Sequence, residues 1–339
     1  MNRRILITGG AGFIGINATE HFIKLGWMVT IFDNFSRYGA QDNVAWLKRS
    51  YPGKFEVVRG DIVRDLENLK KLVIRANAVI HLAGQVAVTT SVTNPREDFE
   101  TNALGTFNVL EAIRLSKNKP ALIFTSTNKV YGGLEGAKVL ENKLRYSLPS
   151  FKSGVSEEQP IDFHSPYGCS KGAADQYVRD YSRIYGLDTV VLRQSCIYGP
   201  HQFGIEDQGW VAWFTIANAF GRKVKIYGTG KQVRDILYVS DLCRIYEMAV
   251  NKIKKVRGQI INVGGGPMNT LSLLELMPML PELKYTFDKI RPGDQPVYVS
   301  DIRKAKKLLD WQPEVRPVDG LSKLKSWVEE NKKVLAKYL

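Results

Sequence analysis

A glycine-rich turn near the start of the chain constrains the fold more than any other feature. An apolar run over residues 3–8 predicts a buried strand, and the pattern after the turn predicts a helix. Between them, Gly9, Gly12 and Gly15 would allow a tight turn, a close approach to a pyrophosphate, and packing of the helix on the sheet. A glycine cluster by itself marks only a loop. Its position between a strand and a helix predicts a dinucleotide site at the helix N-terminus.

The second predicted strand, over residues 28–32, ends in a carboxylate. Asp33 follows the glycines by about twenty positions, where an acidic side chain binds the hydroxyls of the adenosine ribose. Because a carboxylate would repel a 2′-phosphate, the sequence favours NAD over NADP, although Arg37 could accept that phosphate. The alternative is that Asp33 is a turn residue, since Asp-Asn favours turns.

Further strands alternate with helices along the first half of the chain. The expected strands cover residues 55–59, 78–82, 121–126 and 189–193, and an amphipathic helix covers residues 97–117. Strands joined in this way form a doubly wound parallel sheet, whose strand ends line the crevice that holds a cofactor. We therefore predict an α/β protein with a Rossmann-type sheet and a smaller C-terminal substrate-binding domain.

The same pattern suggests where the domains begin and end. We predict an NAD-binding domain over residues 1–195 and a substrate-binding domain over residues 196–339, with residues 236–263 returning to the first. Between residues 133 and 160 the alternation gives way to a mixed-charge stretch. A connection of this length is uncommon in a compact domain, so we expect a lid or an interface element there.

Length and composition narrow the class of protein. The chain has 339 residues, 44% of them hydrophobic, enough for one large core or two smaller ones. No leader is apparent and no apolar run reaches the ~18 residues of a membrane helix, so we expect no membrane. Three cysteines without pairing or metal-ligand spacing fit a reducing cytoplasm and no metal. The formal charge of +14 is spread along the chain, which favours a solvated surface over nucleic-acid binding.

Tyr167 and Lys171 are a candidate catalytic pair. In a helix these side chains, four positions apart, share one face. An unperturbed phenol has a pKa of about 10, and a cation one turn away lowers it. A hydroxyl from Thr127, after the strand over 121–126, could hold a substrate oxygen between the two. Such a group of side chains can take a proton from an alcohol while the carbon of that alcohol gives up hydride. The alternative is that Tyr and Lys at this spacing are ordinary surface residues of a helix.

Motifs along the whole chain resemble one family. They are Gly9-x-x-Gly12-x-x-Gly15, Asp33, Asp61-Ile62, Asn102, Thr127 before Val130-Tyr131-Gly132, Tyr167-x-x-x-Lys171, Tyr198-Gly199-Pro200, Arg234-Asp235 and Arg291-Pro292-Gly293-Asp294. Together they resemble the extended short-chain dehydrogenases/reductases, which include the nucleotide-sugar epimerases and dehydratases. The resemblance implies bound NAD, a nucleotide-diphosphate sugar as substrate, and a homodimer or homotetramer that pairs through helices.

The resemblance also assigns residues to sites. Thr127, Tyr167 and Lys171 would be catalytic. Arg234 and Arg291 would grip the diphosphate, which suits the forked guanidinium, with ion pairs to Asp235 or Asp294 as the alternative. The cofactor-binding residues would be Gly9, Gly12, Phe13, Ile14, Gly15, Asp33, Asn34, Ser36, Arg37, Asp61, Ile62, Leu82, Ala83, Gly84, Gln85, Asn102, Thr125, Tyr167, Lys171 and Gln194. The substrate-binding residues would be Thr127, Asn128, Lys129, Ser195, Cys196, Gln208, Lys225, Tyr227, Arg234 and Arg291.

The residues after Thr127 distinguish activities within the family. Dehydratases of this family carry an Asp-Glu pair there and UDP-glucuronate decarboxylases a glutamate, whereas this chain has Asn128 and Lys129. Without the glutamate an elimination lacks its base, which favours epimerisation. Longer stretches, over residues 125–132, 160–177, 207–210 and 230–235, resemble the epimerases that act on carbon 2 of CDP-sugars. In that reaction Tyr167 would take the 2-hydroxyl proton, and hydride would return to the opposite face of a 2-keto sugar.

Two other functions stay open. Cys196 stands where many UDP-sugar 4-epimerases have Asn, which weakens that alternative, although a cysteine there also suits a small buried filler. A non-catalytic NAD-binding protein, recruited to RNA by its charge, belongs to a different class. The intact Thr127, Tyr167 and Lys171 argue against it.

Overall fold

The computed structural model describes residues 3–290 and 294–339. Arg291, predicted to bind substrate, lies outside the described residues. The strands are β1 Arg4–Thr8, β2 Met28–Asp33, β3 Phe55–Arg59, β4 Ala78–His81, β5 Ala121–Thr127, β6 Leu140–Glu141, β7 Tyr146–Ser147, β8 Thr189–Gln194, β9 Cys196–Tyr198, β10 Lys223–Tyr227, β11 Val233–Tyr238, β12 Ile260–Val263, β13 Thr270–Ser272, β14 Lys284–Asp288 and β15 Val297–Tyr298.

The helices alternate with the strands in the first half of the chain, as predicted, and cluster again near its end. They are α1 Phe13–Lys24, α2 Ala40–Ser50, α3 Leu66–Arg75, α4 Val88–Thr93, α5 Pro95–Phe99, α6 Gly105–Leu115, α7 Ser165–Tyr185, α8 Trp210–Ala219, α9 Val239–Asn251, α10 Ile253–Val256, α11 Leu273–Leu276, α12 Arg303–Leu309, α13 Pro317–Glu330 and α14 Lys332–Leu335. Within the described residues, no helix combines the length and the apolar character needed to cross a bilayer.

Parallel strands form the large sheet, in the order β12-β8-β5-β4-β1-β2-β3. Its centre is β1, which pairs in parallel with β2 on one side and with β4 on the other. The strand order reverses at this point, so the connections after β1 and β4 diverge and leave a crevice at the carboxyl ends of these strands. The predicted Rossmann-type doubly wound sheet is confirmed.

Apolar cores cover both faces of this sheet. Phe22 of α1 and Leu242 of α9 pack on one face, and Leu110 of α6 and Val178 of α7 pack on the other, each of them fully buried. Because neither face meets water, the strands are apolar on both sides and appear in the sequence as short continuous runs. β12 pairs in parallel with β8, so the chain returns to the large sheet after leaving it at residue 194.

The prediction of one continuous helix over residues 97–117 is wrong, because a π-helical turn interrupts it. The helical segment begins at Pro95, where the Asn94 side chain accepts a hydrogen bond from the Glu97 nitrogen at 3.4 Å. A π-helical turn, Glu100–Leu104, interrupts it before α6. Asn102 lies in this turn and is buried. π-Turns of this kind often mark functional sites, and here the turn directs Asn102 toward the neighbouring loop and helix.

A smaller group of strands follows the large sheet. β11 pairs in parallel with β9 and β15 and antiparallel with β13, while β10 and β14 form a separate parallel pair. A third apolar core joins these strands to α8 and α13, with Phe214 and Leu324 buried in it. These elements lie beyond the carboxyl end of β8, so they place a second set of side chains beside the crevice.

The segment over residues 133–160 is fastened to the C-terminal half of the chain. Its antiparallel ribbon, β6 and β7, presents Arg145, whose guanidinium contacts Glu275 at 2.7 and 2.6 Å. The Tyr146 nitrogen donates to the Lys231 carbonyl at 2.8 Å, and Val155 pairs with Ser300. This segment therefore packs as an internal strap.

Candidate active site

The glycine-rich turn closes tightly against the neighbouring strand end. A Cβ atom on Gly9, whose φ is +69°, would lie 2.6 Å from the Ala83 nitrogen, and one on Gly15 would lie 2.3 Å from the Gly9 carbonyl oxygen. A Cβ atom on Gly12 would meet only that same oxygen, at 3.4 Å, so its outer side is open. No side chain caps the N-terminus of α1, which leaves its first N–H groups available to an anion.

Asp33 is oriented by the backbone around it. Its carboxylate accepts hydrogen bonds from the Ala11 nitrogen at 2.9 Å and the Phe35 nitrogen at 2.7 Å. Burial raises the pKa of Asp33, and these two bonds act against the rise. Each carboxylate oxygen keeps a lone pair free. Asp33 is therefore built into the fold as a positioned acceptor, which goes beyond the role of a turn residue.

Most of the predicted cofactor-binding residues line one elongated cavity at the carboxyl edge of the large sheet. They are Gly9, Gly12, Phe13, Ile14, Gly15, Asp33, Asn34, Ser36, Arg37, Asp61, Ile62, Leu82, Ala83, Gly84, Thr125, Tyr167, Lys171 and Gln194. The open side of Gly12, the free N–H groups of α1 and the acceptor Asp33 follow one another along this cavity. That order suits the pyrophosphate and adenosine ribose of a dinucleotide, so the residues present fit NAD.

Gln85 and Asn102 do not line this cavity. The Asn102 side chain accepts a hydrogen bond from the Gln85 nitrogen at 3.0 Å and donates to Ser170 Oγ at 3.1 Å and to Asp98 at 3.1 Å. It therefore braces the loop after β4 against α7. Contact of these two residues with the cofactor stays a prediction.

One wall of the cavity was missed from the sequence. Residues 201–205 and Ser126 line it, and Gln208 contacts Arg37 across it. The loop over 201–205 comes from the half of the chain that follows the dinucleotide motifs, so no glycine pattern marks it. The preceding motif, Tyr198-Gly199-Pro200, was the available signal.

Tyr167 lines this cavity, and the Thr127 side chain is a neighbour of its phenol. α7 begins at Ser165 with Pro166 in its first turn and buries Tyr167, while the end of β5 buries Thr127. Burial raises the pKa of Tyr167, and a hydrogen bond with the Thr127 side chain partly offsets the rise. The predicted lowering of this pKa is therefore wrong for the ligand-free protein, because desolvation of the phenolate outweighs the favourable contacts.

Lys171 shares the buried face of α7 with Tyr167. Its Nζ donates to the Thr125 carbonyl oxygen at 2.5 Å and lies 4.4 Å from the centre of the Phe124 ring. Burial lowers the pKa of Lys171 to about 8, against the attraction of Asp175 and Asp98. The ammonium thus sits beside the cavity, held by the strand that also delivers Thr127.

A buried ion pair lies beneath these residues and was not predicted. The Asp175 carboxylate accepts hydrogen bonds from Arg193 Nε at 2.9 Å, from a terminal nitrogen of Arg193 at 3.0 Å, and from Ser126 Oγ at 2.7 Å. The pair joins α7 to the ends of β5 and β8. It fixes the relative position of the helix and strand that carry the candidate catalytic groups.

A second cavity adjoins the first, and Val86 and Gln208 line both. The predicted substrate-binding residues that line the second cavity are Lys129, Cys196, Gln208, Lys225, Tyr227 and Arg234. Arg234 pairs with Asp294 at 2.6 Å. Of the alternatives given for its ion pair, the structure shows the one with Asp294.

The other predicted substrate residues lie elsewhere. Thr127 and Asn128 are buried at the end of β5 and in the turn that follows it, and Ser195 Oγ is bound to the Asp235 carboxylate. Cys196 lines the cavity, and burial raises the pKa of its thiol. It is therefore a neutral residue of the cavity wall, and its contact with substrate stays a prediction.

Glu135, Asp162 and His164 form a group with metal-like spacing in the described part of the chain. Their ligand atoms lie within 4.8 Å of one another. The three side chains are largely exposed and stand outside both cavities, so they have no place in the chemistry of the site. The absence of a metal stays a prediction.

The fold, the glycine-rich turn and the buried Tyr167 and Lys171 define the class of protein. A family model described as GDP-mannose 4,6 dehydratase matches residues 6–324, and the chain belongs to this family of extended short-chain dehydrogenases/reductases. It is 46% identical over 336 residues to the CDP-paratose 2-epimerase of Salmonella typhi, covering 96% of this chain and 98% of that protein.

Other relatives are also epimerases. A putative UDP-glucose 4-epimerase of Methanocaldococcus jannaschii is 32% identical over 333 residues, covering 96% of this chain and 99% of that protein. The structure of a UDP-glucuronic acid 4-epimerase from Bacillus cereus, in complex with UDP-glucuronic acid and NAD, has a TM-score of 0.83 and 28% identity, covering 96% of this chain and 99% of that one. The chain is an isomerase of the epimerase type.

Proposed function

We propose that the protein is an NAD-dependent epimerase of a nucleotide-diphosphate sugar, and that it inverts carbon 2 of CDP-paratose to give CDP-tyvelose. The observation that carries this proposal is the place of Tyr167 and Lys171 in a dinucleotide cavity, beside a second cavity whose lining includes Lys129, Lys225 and Arg234. The 46% identity to the CDP-paratose 2-epimerase of Salmonella typhi supports the choice of sugar and carbon.

The chemistry of the sugar requires a redox route. Carbon 2 of a 3,6-dideoxyhexose has no neighbouring carbonyl, so its hydrogen is not acidic and simple deprotonation cannot invert it. When bound, NAD supplies reversible acceptance of hydride. Tyr167 takes the proton of the 2-hydroxyl as the 2-keto sugar forms and returns it after the sugar has turned over. Proton transfer of this kind contributes about 10²–10⁴-fold to the rate.

Tyr167 needs a lower pKa than it has in the ligand-free protein. The positive charge that oxidised NAD brings into the cavity favours the phenolate, as does the nearby Lys171 ammonium. The Thr127 hydroxyl, a neighbour of the phenol, donates a hydrogen bond to the reacting oxygen in this proposal. Lys171 uses one of its donors on the Thr125 carbonyl and has others free for the nicotinamide ribose.

The second cavity suits the rest of the substrate. Arg234 offers a guanidinium to the diphosphate, and Lys225 and Tyr227, which line the same cavity, would flank the base. Asn128 and Lys129 follow Thr127 with no carboxylate, so the chain provides no base there for elimination of water. These residues favour an epimerase over a dehydratase.

The decisive experiment compares two nucleotide sugars. The purified protein is incubated with CDP-paratose or UDP-glucose, and the products are identified by NMR, with Tyr167→Phe as the matched inactive control. We expect CDP-paratose to equilibrate with CDP-tyvelose and UDP-glucose to stay unchanged. Conversion of UDP-glucose to UDP-galactose alone would show a 4-epimerase. No turnover of either sugar, together with RNA binding that weakens steeply with salt, would favour the non-catalytic alternative.

The proposal includes the organisation of the protein. We infer that residues 196–339 bind the nucleotide sugar, except for residues 236–263, which belong to the NAD-binding part. We also propose a cytoplasmic homodimer or homotetramer that pairs through α6 and α7, because Phe107, Tyr177 and Ile184 are exposed on these helices. Light scattering coupled to gel filtration would detect a monomer, which would exclude this pairing, and cell fractionation would test the location.

A further inference from the structure

Lys129 carries a charge that the proposed chemistry does not use. It lies in the 3₁₀ turn Asn128–Tyr131, and its backbone N–H donates to Thr127 Oγ1 at 3.2 Å. Its side chain lines the second cavity, where Nζ lies 3.5 Å from Gln295 Oε1. Across residues 3–290 and 294–339, no carboxylate lies within ion-pair distance of this ammonium. The turn therefore projects a cation without a counter-ion from a point next to a candidate catalytic hydroxyl.

Burying an ammonium without a counter-ion costs free energy, and a bound anion would offset that cost. Burial, and then repulsion by Arg234, lowers the pKa of Lys129 to about 8, while Asp294 and Cys196 act in the opposite direction. The neighbouring cation differs, because Arg234 is already neutralised by Asp294 at 2.6 Å. A diphosphate entering this cavity would therefore find its uncompensated positive charge on Lys129.

We propose that Lys129 binds the sugar-linked β-phosphate and thereby selects which carbon reacts. This inference rests on the proposed function and adds the basis of its regiochemistry. The β-phosphate is joined through oxygen to carbon 1, carbon 2 is the adjacent ring atom, and carbon 4 lies across the ring. The backbone N–H of Lys129 donates to Thr127 Oγ1, so one turn carries both the ammonium and the hydroxyl; in this proposal, a phosphate on the ammonium places carbon 1 on the Thr127 side of the sugar. Carbon 2 then lies next to the reacting hydroxyl, whereas carbon 4 lies on the far side of the ring from it.

Binding of CDP and of CMP tests the phosphate contact, because the two differ by the β-phosphate alone. Calorimetry is done on the NAD-containing protein, its Lys129→Met and Lys129→Arg variants, and the control Lys71→Met, an exposed lysine on α3. In Lys129→Met we expect the Kd of CDP to rise about ten- to a hundredfold, as for loss of a hydrogen bond to a charged group, and that of CMP to change by less than about twofold. Lys129→Arg and Lys71→Met should stay near the wild type.

The pH dependence gives a measurement that needs no variant. The ammonium form binds phosphate, so the ratio of CDP to CMP affinity in the wild type should fall as pH rises above about 8. The charged side chains that act on this ammonium are Arg234 and Asp294, which pair with each other. A ratio that does not change with pH would overturn the phosphate contact even if Lys129→Met failed to fold, which thermal unfolding and NAD content would reveal.

Isotope transfer tests the choice of carbon. With CDP-paratose deuterated at carbon 2 or at carbon 4, label should reach the bound NAD of the wild type from carbon 2 only, and in Lys129→Met this transfer should be at least about tenfold slower. Unchanged transfer, or equal losses of CDP and CMP affinity, would overturn the inference. A wild type that ignores CDP-paratose would count against the proposed function, while the CDP and CMP comparison would still decide the role of Lys129.

Discussion

The ion pair of Asp175 with Arg193 offers a test of how the active site is held. Asp175 is 0% exposed and Arg193 is 2% exposed. The carboxylate receives two bonds from the guanidinium, at 2.9 and 3.0 Å, and one from Ser126 Oγ at 2.7 Å. Asp175→Asn keeps the shape of the side chain and removes its charge, which leaves Arg193 buried without a counter-ion.

The expected loss of unfolding free energy in Asp175→Asn is large for the exchange of one oxygen for an amide nitrogen. Removing one partner of a buried ion pair costs about 3–5 kcal/mol, out of a total stability of about 5–15 kcal/mol. At about 2–4 °C for each kcal/mol, Tm should fall by roughly 6–20 °C. Replacing both partners, as Asp175→Leu with Arg193→Met, removes both charges and should recover most of the loss.

Urea and thermal unfolding of the NAD-containing protein would measure these changes, and Asp175→Leu, Arg193→Met and their combination form a double-mutant cycle. Glu67→Gln is the control, because its pair with Lys70 is exposed to solvent and its loss should leave the stability nearly unchanged. Epimerase activity, measured well below Tm, should also fall, since α7 and β5 lose their common anchor. A loss under about 1 kcal/mol in Asp175→Asn, or additive losses in the double variant, would refute the reasoning.

Three further predictions concern the cofactor, the phenol and pH. Gly15→Ala should weaken NAD binding at least about tenfold by fluorescence titration, because its Cβ would lie 2.3 Å from the Gly9 carbonyl oxygen; unchanged affinity would contradict the packing. Tyr167→Phe should lower kcat by about 10²–10⁴-fold and leave carried-over NAD, measured by mass spectrometry, unchanged; near-normal turnover would overturn its role. Burial lowers the pKa of His81 to about 3. Between this value and about 6.5, His81 therefore binds a proton in the unfolded chain but not in the folded protein. Through His81, the free energy of unfolding should fall by about 1.4 kcal/mol for each pH unit below about 6.5. His81→Gln should reduce the dependence of the unfolding free energy on pH, measured by urea titration. Some dependence should remain, because burial also lowers the pKa of His201, to about 4, and this too destabilises the folded protein at low pH. An unchanged dependence on pH would show that His81 is not its source.

The large sheet could be predicted because its signals are local. Each strand is a short apolar run that ends in a polar or glycine residue, as at Asp33. The π-turn around Asn102 could not be predicted, since its cause is a set of contacts with Gln85, Asp98 and Ser170 that are distant or irregular in sequence. Helix propensity is a property of the local sequence, whereas this π-turn forms where Asn102 contacts residues of other segments.

The candidate site was predictable to the extent that motifs carry it. Gly9, Asp33, Tyr167 and Lys171 occupy fixed places in strand–turn–helix units, so their meeting at one edge follows from the topology. The loop over residues 201–205 and the charge of Asp175 act through tertiary packing, which no spacing reveals. The pKa of Tyr167 was predicted in the wrong direction because a sequence shows the neighbouring cation but not the desolvation that opposes it.

The return of β12 to the large sheet limits how this protein can be divided. A gene cut at residue 195 would encode β1 to β8 without the strand that covers β8. The exposed backbone of β8 would then be a template for pairing with other chains. A stand-alone dinucleotide-binding fragment should therefore aggregate, and protein engineers who want a portable module would need to fuse residues 236–263 back onto it.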